Sequence, residues 1–271
     1  MKIGFIGAGN MAGAIIGGLV KQGFNPQDIF ASNRNQEKLN NLKTSFGIQT
    51  CENNQDLIAQ TDAIVLSVKP QGMKVLCDDI KASVQTNNSL VISVAAGLEI
   101  STIEQWLGGN LAMIRCMPNT PSLVQTGASG LFANTQTSQT QKDFAQQLFD
   151  AVGISAWVGN EYDIHAVTAI AGSAPAYYFL FMQAMMEAGV KQGLTEQTAR
   201  DLTVQTALGA AKMMHTSDES AESLRKKVTS PGGTTEQAIL NFQKNQLSDI
   251  VDEAMQACAD KSVELSKVLA K

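Results

Sequence analysis

"GFIGAGNMAGAIIGG", residues Gly4–Gly18, decides the fold. It passes from a strand pattern through small residues into a helix and holds Gly7-x-Gly9-x-x-Ala12, the G-x-G-x-x-G/A spacing. Gly7 suits the tight turn, Gly9 lets the backbone approach a pyrophosphate, and Ala12 lets the helix pack closely on the strand. The N–H groups of Asn10, Met11 and Ala12 at that helix start, with its partial positive charge, make an anion site. Glycine spacing alone is a weak signal, because a turn built of small residues only for packing reads the same. Here it follows a strand, opens a helix and has a second strand at the right distance.

Outward from that turn, short apolar runs alternate with amphipathic segments. Residues 2–7, 28–33, 63–68, 89–94, 112–117 and 154–159 read as strands, β-branched or aromatic and bounded by turn residues. Residues 10–23, 35–47 and 101–109 read as helices, two of them closing on glycine. Such alternation predicts a mostly parallel sheet wrapped by helices. After about Asn160 the strands stop, and helical patterns follow at 161–190, 196–215, 218–229, 235–244 and 246–269. A chain of 271 residues is large for one core. The expectation is therefore an α/β dinucleotide domain over 1–160 and an all-α domain over 161–271.

A net charge of −5 gives no electrostatic reason to expect nucleic acid. Cys51, Cys77, Cys116 and Cys258 lack C-x-x-C or zinc spacing, so no metal is expected. Met1-Lys2 runs straight into a strand, which predicts no targeting segment there and free thiols in a cytoplasm. Ala166–Met186 carries no charge and is long enough to span a bilayer. Its acidic flanks, the Gly172-Ser173-Ala174-Pro175 break and the lack of a second such segment argue instead for a helix buried in a core or subunit interface, with no membrane.

The second strand bears on the cofactor. It ends Ala31-Ser32-Asn33-Arg34, with no acid until Glu37, where an NAD site usually places Asp or Glu for the ribose 2′-hydroxyl. Ser32 and Asn33 offer hydrogen bonds and Arg34 offers charge for a 2′-phosphate, so NADP(H) is preferred and NAD(H) allowed. The competing reading is that Arg34 is a solvated surface charge. Asn54, at the next helix start, reads either as an adenosine contact or as a plain N-cap.

Acid–base machinery is scarce. The two histidines, His165 and His215, belong to no triad or metal spacing, and His165 reads as structural. No lysine occurs between Lys142 and Lys191, whereas oxidation of an alcohol needs a base for the hydroxyl proton. A protonated C=N needs none. "SPGGTT", Ser230–Thr235, then interrupts the helices without a charged side chain. Thr234-x-x-Gln237 has capping-box form, which predicts a helix start there. The Pro231-Gly232-Gly233 turn would leave the amides of Gly233, Thr234 and Thr235 pointing outward as a nest for a carboxylate, with the Thr235 hydroxyl free for a substrate nitrogen. A plain capped loop is the alternative.

In order behind "GFIGAGNMA" come "VKPQ" (68–71), "IRCMPNTP" (114–121), "GSAPAY" (172–177) and "SLRKKVTSPGGTTEQAIL" (223–240). Together these resemble pyrroline-5-carboxylate reductase, essentially end to end. The resemblance implies a Rossmann domain followed by a helical dimerisation domain, with dimers often assembled into decamers. It implies NAD(P)H-dependent reduction of 1-pyrroline-5-carboxylate to L-proline. Thr235 would face the substrate nitrogen, while Ser230, Gly233 and Thr234 hold its carboxylate. Val68, Lys69, Pro70, Ala95 and Ala96 would border the nicotinamide, with Asn119 in the same cleft. Ala174 stands where the family usually has glycine, an added methyl beside the substrate region. Related imine or small hydroxyacid reductases, and a non-catalytic dinucleotide sensor, are the rival readings.

Overall fold

Side-chain alternation along the first strand shows how the sheet buries both faces. In the computed structural model, which describes residues 1–270, β1 (Ile3–Ile6) sends Ile3 and Phe5 into one core and Ile6 into the other. This is the period-2 geometry of a strand covered on both sides. α1 (Asn10–Lys21) follows, then β2 (Ile29–Ser32), α2 (Gln36–Phe46), β3 (Gln49–Thr50), α3 (Asn54–Ala59) and β4 (Ala63–Leu66). Next come α4 (Met73–Asn87), β5 (Leu90–Ser93), α5 (Ile100–Leu107), β6 (Met113–Met117), β7 (Gly127–Ala133), α6 (Gln139–Asp150) and β8 (Gly153–Trp157).

The eight strands order as β3-β2-β1-β4-β5-β6-β7-β8. All neighbours pair parallel except β6 and β7, with Cys116 opposite Leu131. The order reverses between β1 and β4, the switch point at which doubly wound sheets open a crevice beyond the strand ends. On one face Ala12, Ile15, Ile16 and Leu19 of α1 pack with Leu39, Leu148 and Phe149. Their i, i+3, i+4, i+7 spacing is the apolar stripe of an amphipathic helix. On the other face Leu57, Met73, Ile80 and Ile103 cover Ile64, Leu66 and Met113.

The six strands expected from sequence are present, and β3 and β7 are additions. β7, "GASGLFA", is rich in small residues because its neighbours press close. A Cβ at Gly130 would sit 2.5 Å from Val167 Cγ1, and one at Gly127 would clash with the Ser122 hydroxyl. α4 and α6 are further additions, the latter opened by a capping box between Ser138 and Gln141.

Beyond β8, α7 (Asp163–Val167) leads into a π-helical turn, Thr168–Gly172. The Arg115 guanidinium, 2% exposed, pairs with Glu161 at 3.2 Å. Glu161 also accepts the Ile100 amide at 2.7 Å and so anchors the start of α5.

Helices alone follow: α8 (Ala174–Lys191), α9 (Glu196–His215), α10 (Ala221–Lys227), α11 (Thr234–Lys244) and α12 (Leu247–Leu269). Packing divides the described residues into Met1–Ser173 with 257–270 as one compact unit, and Ala174–Gln256 as the other. The expectation of a helix buried on every side is not met within one chain. Tyr178, Phe179 and Leu180 of α8 are 66%, 65% and 67% exposed, although the helical run Asp163–Lys191 is long and apolar enough to cross a membrane by length and composition. A helix apolar all round needs neighbours all round, and in its unit α8 has mainly α9 and, through Phe181, the Phe242 ring at 6.1 Å.

Candidate active site

The crevice begins at Gly7. Its φ of +103° is the left-handed region that favours glycine, its amide donates to Ser32 O at 2.9 Å, and a Cβ there would lie 2.8 Å from the Ser67 carbonyl. Gly9, by contrast, N-caps α1 with no protein atom within 4 Å of where a Cβ would stand. The first helical bond of α1 is Gly13 N to Gly9 O, so the amides of Asn10, Met11 and Ala12 are unspent. Ala12 itself is fully buried beneath the turn.

Beside the Gly7 turn lies a cavity of about 540 Å³, whose lining does not extend to Gly9, Asn10, Met11 or Ala12. Gly7, Ser32, Asn33, Arg34, Asn54 and Val68, all expected from sequence, line it together. Val75 and Asp79 of α4 complete the wall. Asp79 is a residue that sequence reading missed, because α4 itself was not foreseen. Ser32 Oγ donates to Asn54 Oδ1 at 2.8 Å, and Asn54 Nδ2 donates to Asp79 Oδ2 at 3.2 Å. Asn54 is the first residue of α3 and Asn53 is its cap, accepting from Asp56 N at 2.8 Å. The side chain of Asn54 is therefore free of capping duty. The open space at Gly9, the three unspent amides and the guanidinium at the rim fit a phosphorylated dinucleotide.

Lys69 and Pro70 follow the end of β4, and Ala95 and Ala96 follow the end of β5, on the same edge of the sheet. They stand outside the cavity lining. Asn119 is 8% exposed, and its side-chain amide is engaged at both ends by backbone. Nδ2 donates to Ala171 O at 3.1 Å, and Oδ1 accepts from Ala128 N at 2.9 Å. It thus ties the start of β7 to the π-helical turn. Gly172 faces Met117, where a Cβ would fall 2.4 Å from its methyl, so the two residues pack directly.

The SPGGTT loop belongs to the other unit. Gly232 has a φ of +72°, and Gly233 is the N-cap of α11. The capping box expected at Thr234 does not form, because the helix starts one residue earlier, with Thr234 already at its first position. The outward set of amides shifts accordingly. Gly233 N donates to Ser230 O at 3.0 Å and is spent, while Gln237 N to Gly233 O is the first helical bond. The amides of Thr234, Thr235 and Glu236 are therefore the unspent ones. Glu236 Oε2 accepts from Gly232 N at 2.7 Å and holds the turn, a contact invisible from residue spacing.

His165 is 3% exposed, with Nδ1 2.8 Å from Ser262 Oγ and Tyr162 edge-on to its ring. Burial first, then the Arg115 charge, lower its pKa, so it is the neutral structural histidine expected. Burial pushes the Cys77 thiol up to about 12 and raises Cys51 and Cys116 too, which makes them inert.

Comparison with known proteins covers both halves. The family model described as pyrroline-5-carboxylate reductase dimerisation matches residues 161–265. The model described as NADP oxidoreductase coenzyme F420-dependent matches residues 2–97. The pyrroline-5-carboxylate reductase of Pseudomonas aeruginosa is 47% identical over 99% of this chain and 98% of its own length. The solved structure of a pyrroline-5-carboxylate reductase from Coxiella burnetii superposes with a TM-score of 0.95 at 43% identity, covering 98% of each chain. That of Plasmodium falciparum pyrroline carboxylate reductase with NADP bound gives 0.85 at 30% identity, again covering 98% of each.

Proposed function

The chain belongs to the pyrroline-5-carboxylate reductase family, and from that premise we propose how its own residues carry the reaction. It is an NAD(P)H-dependent oxidoreductase that reduces 1-pyrroline-5-carboxylate to L-proline, the final step of proline biosynthesis. The observation that carries the mechanism is the start of α11, where the Thr234, Thr235 and Glu236 amides point from a helix N-terminus with no basic side chain in the motif.

Those amides, with the Ser230 hydroxyl and the Gly233 turn, hold the substrate carboxylate, so binding does not require a lysine or arginine there. The Thr235 hydroxyl hydrogen-bonds the ring nitrogen. In the first unit, the α1 amides and Gly9 cradle the pyrophosphate, with Ser32, Asn33, Arg34 and Asn54 at the adenosine ribose. Val68, Lys69, Pro70, Ala95, Ala96 and Asn119 border the nicotinamide side. When bound, the reduced nicotinamide supplies the hydride that the imine carbon accepts. The protein contributes orientation and fixed dipoles, not a titrating base, in line with the burial of His165.

Residues 1–160 serve as the cofactor domain and 161–271 as the substrate and dimerisation domain. Arg34 favours NADPH, while NADH is also used. The exposed Tyr178, Phe179 and Leu180, spread around α8, are covered by a second copy of the chain, in a homodimer that assembles further to a decamer. A cytoplasmic enzyme without nucleic-acid or membrane partners fits the acidic balance and the buried thiols. Mixing the protein with NADPH and 1-pyrroline-5-carboxylate should consume both and yield proline. Nucleotide binding without consumption, or preference for a small hydroxyacid, would overturn the assignment.

A further inference from the structure

Asp79 is the one acidic side chain lining the cavity of the first unit, and the catalytic reading gives it no task. A carboxylate only accepts hydrogen bonds, so its 3.2 Å contact obliges Asn54 to present Nδ2 on that side. Asn54 Oδ1 must then face Ser32, whose single hydroxyl proton is committed to it at 2.8 Å. Ser32 is left with lone pairs alone to offer the cavity. A ribose 2′-hydroxyl can donate to those lone pairs, whereas a 2′-phosphate brings only acceptors. Arg34, on the same wall, has the opposite preference.

We propose that Asp79 is a specificity-determining residue: through Asn54 it turns the Ser32 hydroxyl away from a 2′-phosphate and so holds NADPH preference below what Arg34 alone would give. The inference rests on reading this cavity as the adenosine-ribose end of the cofactor site. The side chain is available for such a role, because the docking of α3 on α4 has a separate tie. Gln55 Nε2 donates to the backbone carbonyl of Asp79 at 3.2 Å, a bond that survives any substitution of the carboxylate.

Calorimetric titration of the full-length protein with NADPH and with NADH, without substrate, tests it. Asp79→Ala frees Asn54 to flip and Ser32 to donate, so the ratio of NADH to NADPH dissociation constants should rise about tenfold. Asp79→Asn keeps an acceptor for Asn54 and removes only charge, so it should raise the ratio about twofold, an effect that fades with added salt. In a Ser32→Ala background, Asp79→Ala should give no more than that charge effect. Equal changes in both affinities, or a full shift that persists without the Ser32 hydroxyl, would overturn the relay while leaving the cofactor site intact. Failure of the unmutated protein to bind either nucleotide would overturn the cavity assignment and this inference with it.

Discussion

Glu236 places its carboxylate 2.7 Å from the amide of Gly232, so an internal anion pins the turn that is proposed to receive the substrate's own carboxylate. On that proposal the two charges would share one helix N-terminus and repel. Glu236→Gln keeps an acceptor for Gly232 and removes the charge. It should lower KM for the imine about two- to fivefold with kcat unchanged. Glu236→Ala loses the turn as well and should raise KM, both read from initial rates at saturating NADPH.

Thr235→Ala removes the only hydroxyl assigned to the ring nitrogen. Turnover should fall roughly ten- to a hundredfold, the worth of about 1–3 kcal/mol in the transition state. The NADPH dissociation constant should hold, and Thr235→Ser should restore most of the rate. Unchanged turnover in the alanine variant removes Thr235 from the mechanism.

Gly7 and Gly9 should separate fold from binding. Gly7→Ala forces a side chain into a left-handed φ against the Ser67 carbonyl, costing about 1–3 kcal/mol of stability by denaturant titration. Gly9→Ala meets no protein atom and should leave stability within about 0.5 kcal/mol. Its methyl would instead fill the space proposed for the pyrophosphate, so nucleotide affinity should drop.

The buried His165 predicts an acid sensitivity. Desolvation, reinforced by Arg115 and opposed by Glu99, keeps its folded pKa below the ordinary 6.5. The unfolded chain therefore takes up a proton that the folded chain refuses, and stability rises with pH. The contribution is complete above about 6.5 and is lost as pH falls through the lowered folded value. Melting temperatures across that window should show a shallower slope for His165→Gln than for the unmutated protein.

Leu180→Glu on the exposed surface of α8 should abolish self-association, seen as a halved or smaller mass in sedimentation, while the isolated chain keeps its helicity. An oligomer that survives would place the interface elsewhere.

Local constraints were legible in the sequence, and non-local ones were not. The turn at positions 7, 9 and 12 is legible because the positive φ of Gly7, the helix start at Gly9 and the buried Ala12 follow one another at a fixed local spacing, although Gly7 is also pressed by the distant Ser67 carbonyl. β7 escapes because its glycines answer to Val167 and Ser122, partners brought in by the fold, and small residues carry little strand signal. The ring of polar contacts around Ser32 needs α3 and α4 to meet before it exists. At α11 the helix was foreseen but its start was one residue late, which changes which amides are unspent. The apolar run at 166–186 was read as needing cover, and a single chain leaves much of α8 bare.

The last helix carries a practical lesson for swapping parts between relatives. From Ala257 onward α12 counts with the first unit, where Leu269 lies within 3.1 Å of where a Cβ on Gly97 would stand, just past β5. A chimaera joined once, after β8, would therefore import a foreign tail against the native loop that follows β5. A clean transplant needs two junctions, with the C-terminal turns of α12 inherited from the same parent as residues 95–97.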